Sequence, residues 1–178
     1  MSMEITKDAI KELREQTSCG VIECKKALEE SKGDMSKAKE ILQKRGLEIA
    51  AKKGDRVTKE GRVEVYVHPG SKMVAIVEIN CETDFVANNE DFKKFAKDVA
   101  MHIAACSPKF IKREDVPSET LKGVHDKETF YKEKCLLSQA FVKDPKVTIQ
   151  DLLNTLVSSI RENIIISRFT RYKVGEVE

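Results

Sequence analysis

The chain has 178 residues, enough for one ordinary domain with a small appendage, and its 40% hydrophobic content can supply a buried core. Its 32 Lys and Arg nearly cancel 30 Asp and Glu, and acids sit beside bases, as in Lys25-Lys26 and Glu29-Glu30; this excludes the basic stripe of a polyanion binder and predicts no direct nucleic-acid contact. Five cysteines without a C-x-x-C pair, a start without signal-peptide character and no apolar run near about 18 residues predict reduced thiols, no membrane span and a cytoplasmic or organelle-interior setting.

Thr6 is an N-cap for a first helix carrying Ala9, Ile10 and Leu13, which stops near Ser18 to Gly20. A second helix turns Val21, Cys24, Ala27 and Leu28 to one side and closes at Gly33, where a left-handed residue costs glycine nothing. Asp34 caps a third helix with Ala38, Ile41 and Leu42, expected to end at Gly46. The next stretch, Leu47 to Asp55, reads as a short helix running into a linker at Gly54-Asp55, so residues 1–54 form a first, three-helix domain and residues 55–178 a second.

Val63, Val65 and Val67 alternate with Glu64 and Tyr66, the period-two pattern of a half-buried strand, and Pro69-Gly70 turns the chain into a second strand, Met73 to Cys81. Asn88 or Asn89 caps a long helix whose apolar face of Phe92, Phe95, Ala96, Val99, Ala100 and Ile103 is expected to cover the sheet. From Pro117 to Leu137 charges dominate, and the pattern predicts a mobile segment with a helix or two. Thr148 caps a helix through Leu152, Leu153, Leu156 and Ile160, and the β-branched run from Ile164 to Val174 predicts a third strand, with Ile164, Ile165, Ile166 and Phe169 as its apolar residues. The fold class is therefore α+β, with helices packed on a three-stranded antiparallel sheet.

No phosphate-cradling glycine loop, zinc motif or nucleophile elbow occurs, so the sequence predicts no enzyme, no cofactor and no metal. Cys19 and Cys24 allow a metal reading but lack a second ligand pair at finger spacing, and buried free thiols describe them better. His102 reads as a satisfied core or boundary histidine. The informative stretch is Thr83-Asp84-Phe85-Val86, between the end of a strand and the cap of a helix. On composition, Asp84 could stabilise the turn while Phe85 folds into the core; alternatively the turn presents both to a partner.

Asn80-Cys-Glu-Thr-Asp-Phe-Val-Ala87 resembles the T-D-F-V signature of the translation elongation factor Ts family. Lys11-Glu-Leu-Arg-Glu-Gln-Thr17, Cys24-Lys-Lys-Ala-Leu28 and Gly33-Asp34 are similar to that family's ubiquitin-associated-like N-terminal domain. Ala100-Met-His-Ile-Ala-Ala105, Glu114-Asp-Val116, Gln139-Ala-Phe-Val142 and Arg168-Phe-Thr-Arg-Tyr172 follow in family order. The chain departs from the family pattern between Lys122 and Lys134, where a longer helical stretch is missing, and it carries a single core module without internal repeat.

The resemblance implies guanine-nucleotide exchange on elongation factor Tu, through contacts by Thr83, Asp84, Phe85 and Val86, and a homodimer of the short form. Arg14, Val21, Ile22 and Lys25 would give a second foothold on the partner, and His68 a third. Val21 and Ile22 could instead belong to the core, although an apolar pair directly after Gly20 at a helix start can face solvent. The competing class is a ubiquitin-associated adaptor that binds a protein partner without exchange activity.

Overall fold

In chain order the helices are α1 (Lys7–Thr17), α2 (Val21–Glu30), α3 (Met35–Lys53), α4 (Asp84–Ala87), α5 (Glu90–Cys106), α6 (Lys127–Lys134) and α7 (Ile149–Ile160). The strands are β1 (Glu60–Val67), β2 (Met73–Cys81), β3 (Ala140–Phe141), β4 (Asp144–Thr148) and β5 (Ile164–Lys173). The computed structural model describes residues 5–17, 19–53 and 56–176, with backbone alone at residues 47 and 49–53. Two compact units result: Met1–Val57 with Leu153–Asn163, and Thr58–Leu152 with Ile164–Glu178.

In the first unit, Thr6 Oγ1 accepts from the Ala9 amide at 3.2 Å to open α1, and Asp34 Oδ1 accepts from Ser36 and Lys37 at 3.0 and 3.1 Å to open α3. Gly33, at φ 85°, ends the connection after α2 with its amide on the Leu28 carbonyl at 2.8 Å. Leu13, Cys19, Cys24, Ala27, Leu28, Ala38 and Leu42 form the core of these helices, as expected of a ubiquitin-associated-like domain.

Gly46 does not end the third helix. It lies inside α3, which continues to Lys53 and absorbs the separate short helix expected after Leu47; the linker residues Gly54 and Asp55 lie outside the described residues. The reason for a glycine is close approach: a Cβ at Gly46 would stand 2.6 Å from the Asn154 carbonyl oxygen and 3.3 Å from Ser158 Cβ. Thus Leu153–Asn163 belongs with the N-terminal helices, which a linear division after residue 54 leaves out. Glu23 reinforces this packing, bonding Arg161 at 2.9 Å and Arg45 at 3.5 Å, and Asn163 Nδ2 donates to the Arg56 carbonyl at 2.9 Å.

The second unit is built on a sheet of order β1-β2-β5, both pairings antiparallel. Asn89 Oδ1 accepts from Asp91 at 2.8 Å and Phe92 at 3.4 Å, so the second of the two candidate asparagines caps α5. Phe92, Phe95, Ala96, Val99, Ala100 and Ile103 are buried on α5, and Ala75, Val77, Ile79 and Cys81 are buried on β2.

The facing of β1 is the reverse of what an inward apolar stripe would give. Val63, Val65 and Val67 are 59%, 50% and 55% exposed, while Arg62, Glu64 and Tyr66 take the other face. Register explains it: Val65 stands opposite Ile76 and Val67 opposite Val74, whereas Tyr66 stands opposite buried Ala75 and Glu64 opposite buried Val77. One sheet face carries α5 and the other is open.

The charged stretch from Pro117 to Leu137 contains α6, with one 3-10 turn before it at Arg113–Asp115 and another at its end, Leu136–Ser138. α6 is joined to the segment before that stretch: Arg113 bonds both oxygens of Glu128 at 2.7 and 2.9 Å, and the Lys109 and Phe110 amides donate to the Lys134 carbonyl. A small hairpin, β3–β4, follows that the sequence pattern did not indicate. At its end Thr148 and Asp151 exchange reciprocal bonds of 3.1 and 2.8 Å, a capping box opening α7.

Candidate functional site

Local hydrogen bonds brace the turn after β2 on both sides. Cys81 Sγ donates to the Thr83 carbonyl at 3.2 Å, Thr83 Oγ1 accepts from the Val86 amide at 3.4 Å, and Asn88 Nδ2 donates to the Asp84 carbonyl at 2.9 Å. These bonds fold Asp84–Ala87 into a single helical turn, immediately followed by the Asn89 cap of α5. One turn has two sides. Val86 and Ala87 point inward at 9% and 8% exposure, and Asp84 and Phe85 point out.

Phe85 is 84% exposed, so the alternative in which it folds into the core does not hold. The tetrapeptide divides its labour by position, in that Thr83 caps, Val86 anchors, and Asp84 and Phe85 are presented. Fully burying such a ring is worth about 2 kcal/mol, and the fold leaves that gain unrealised.

His68 lies at the other end of the sheet, in the β1–β2 turn, where its amide donates to the Met73 carbonyl at 2.9 Å. Its Nδ1 is 3.3 Å from the Tyr66 hydroxyl, and its side chain is exposed. β2 runs the length between this turn and the Phe85 turn, roughly 27 Å at the rise of an extended strand. The structure therefore does not bring His68 and Phe85 together.

In the N-terminal unit, Val21 and Ile22 are 51% and 69% exposed at the start of α2, which settles their facing toward solvent. Cys24, Ala27 and Leu28 supply the buried side of that helix instead. Lys25 is exposed and 3.7 Å from Glu29, and Arg14 is exposed in the last turn of α1. Two features have no signal in the sequence pattern. Glu23, with its two arginines, lies on the same helix as the exposed pair, and the open sheet face carries Val63, Val65, Val67 and Tyr172.

None of the five cysteines is in a disulfide, and no group of three metal-ligating residues occurs among the described residues. Burial pushes the Cys19 and Cys24 thiols up, so both stay protonated and packed. Among the described residues no helix is long and apolar enough to cross a membrane.

An exposed aromatic on a braced turn is the kind of feature from which protein-recognition surfaces are built. The family model described as elongation factor TS matches residues 3–129 and 125–176, two matches that overlap at residues 125–129. The chain is 47% identical to an elongation factor Ts of Thermoanaerobacter sp. (strain X514), over 97% of this chain and 96% of the relative. It is 46% identical to that of Herpetosiphon aurantiacus, over 97% and 99%, and 49% identical to that of Alkaliphilus oremlandii, over 98% and 91%. The chain belongs to the elongation factor Ts family, and its place is in the elongation phase of protein synthesis.

Proposed function

We propose that this protein is a guanine-nucleotide exchange factor for elongation factor Tu, acting by binding alone and not as an enzyme. The observation that carries the reading is Phe85, held 84% exposed on a capped turn whose backbone cannot easily retract it. Inserted into the GTPase, the ring gains its burial energy only in a partner conformation that has opened to receive it. Differential affinity for two partner states is sufficient to drive exchange.

The partner's Mg²⁺ demands near-ideal octahedral geometry, so a small displacement of one coordinating loop weakens the ion and then the phosphates that it bridges. Asp84, beside Phe85, places a carboxylate where that ion would be felt. Val21 and Ile22, flanked by Arg14 and Lys25, form the second foothold, and His68 the third. An adaptor would need the α2 patch alone and would leave the exposed Phe85 without a purpose.

The same reading includes a cytoplasmic homodimer. Val63, Val65, Val67 and Tyr172 are exposed on one sheet face, where Val65 stands opposite Ile76 and Val67 and Tyr172 flank Val74, and a second copy can cover it through a two-fold axis. Ile164 and Ile166 are buried in their own module, which favours this face over the edge of β5 as the contact. Release of fluorescent GDP from elongation factor Tu tests the function. Release accelerated by substoichiometric amounts of this protein is expected, and an unchanged rate would overturn the proposal.

A further inference from the structure

The β3–β4 connection is tied to α5 by two bonds one helical turn apart. The Val142 amide donates to His102 Nδ1 at 3.3 Å, and Lys143 Nζ donates to Asp98 Oδ1 at 2.6 Å. A main-chain N–H can only donate, so Nδ1 must offer a lone pair and the imidazole proton must sit on Nε2. That Nε2 lies 3.0 Å from Gln139 Oε1, which accepts, leaving the Gln139 amide nitrogen to donate to the Glu133 carbonyl at 2.7 Å. The direction of every bond from Val142 through His102 and Gln139 to Glu133 thus follows from one backbone group.

His102 is fully buried, the Phe141 ring lies 6.1 Å away, and Cys106 Sγ stands 3.7 Å from Nδ1. Burial lowers its pKa, so the ring stays neutral and the pattern persists. Val142 and Lys143 form one wall of a cavity of about 260 Å³ whose other walls include Tyr66, His68, Met73 and Met101. Movement of the hairpin would therefore reshape the surface around His68.

We propose that His102 is a positioning residue: its single neutral tautomer fixes the Val142–Lys143 wall beside which His68 meets the GTPase. The identity of that partner rests on the exchange-factor reading above. His102 touches no partner itself and acts through the hairpin.

Nitrogen-resolved imidazole spectra of the wild-type chain are expected to show a bare Nδ1 and a protonated Nε2 on His102, with slow exchange of the Val142 amide. His102→Leu should free that amide and weaken binding to elongation factor Tu about tenfold, the scale of one buried hydrogen bond. His102→Asn, which keeps an acceptor near the Nδ1 position, should restore both the slow exchange and most of the affinity. A proton on Nδ1 overturns the proposal, as does a folded His102→Leu whose Val142 amide exchanges freely while its affinity is unchanged. If the leucine variant does not fold, the wild-type spectrum and His102→Asn still decide. Failure of the wild type to bind the GTPase would sink the exchange-factor reading, whereas a bound wild type with the wrong tautomer would sink only this one.

Discussion

Gly46 passes so near Asn154 that a single added carbon would stand 2.6 Å from the Asn154 carbonyl oxygen. That oxygen is backbone and cannot swing aside, so relief requires α3 to move. Gly46→Ala is expected to destabilise the chain by about 1–3 kcal/mol despite the better helix propensity of alanine. Urea denaturation measures it, and an unchanged or raised midpoint would contradict this packing.

Thr83→Ala removes the acceptor for the Val86 amide and with it the cap of α4. A stability loss of about 1 kcal/mol is expected, with slower nucleotide exchange because Phe85 is less firmly held. Thr83→Ser should retain both properties. Exchange at the wild-type rate in a destabilised Thr83→Ala protein would show that the cap does not serve presentation.

His102 and a set of hydrogen-bonded carboxylates, Glu78, Asp34, Asp126 and Glu176, give the stability a two-step acid dependence. Burial pushes the His102 pKa down, against a smaller upward pull from Gln139, so the unfolded chain takes the proton first. The contribution of His102 is complete above about pH 6.5 and is lost as pH falls through its lower folded value. Glu78 accepts from Arg168 at 2.6 Å and from Asn80 at 3.2 Å, which hold its carboxyl below the usual range. Its contribution is present above about pH 4.3 and disappears below that. Urea midpoints from pH 7 to 3 should therefore start to fall near pH 6.5. His102→Asn should flatten the first step alone, Glu78→Gln should only reduce the second, which Asp34, Asp126 and Glu176 share, and a constant wild-type midpoint between pH 7 and 5 would refute the assignment.

The open sheet face predicts a homodimer of 20.1 kDa chains, separable by charge. Val65, half exposed at the middle of β1 and opposite Ile76, is the place to test it. Val65→Glu should sediment as a folded monomer, since a carboxylate there would be stripped of water without a partner. A wild-type protein that remains monomeric as its concentration rises would remove the dimer from the account.

Local signals were legible in the sequence. Thr6, Asp34 and Thr148 cap the helices that their side chains announce, and one of the two candidate asparagines, Asn89, caps α5, because a cap is decided by the next three residues. The three strands of the larger sheet were likewise legible, since alternation and β-branched runs are local patterns, whereas the β3–β4 hairpin was not. Non-local choices were not. Gly46 has the same letter whether it stops a helix or admits a neighbouring backbone. Val63, Val65 and Val67 mark a strand with an apolar face but do not say which face α5 will cover. The His102–Gln139 bond joins residues 37 apart and has no motif. At the candidate site composition left two readings of Phe85 open, and only tertiary packing, with Val86 turned inward, determines its exposure.

The central claim is that Phe85 is the group through which the factor loosens nucleotide on its partner. Fluorescent GDP release from elongation factor Tu, measured with the wild type and with Phe85→Ala, tests it most directly. Because the ring is exposed, the variant should melt like the wild type, yet its exchange rate at limiting concentration should fall by about thirtyfold, the loss of a roughly 2 kcal/mol anchor. A folded Phe85→Ala that releases GDP as fast as the wild type would contradict the account.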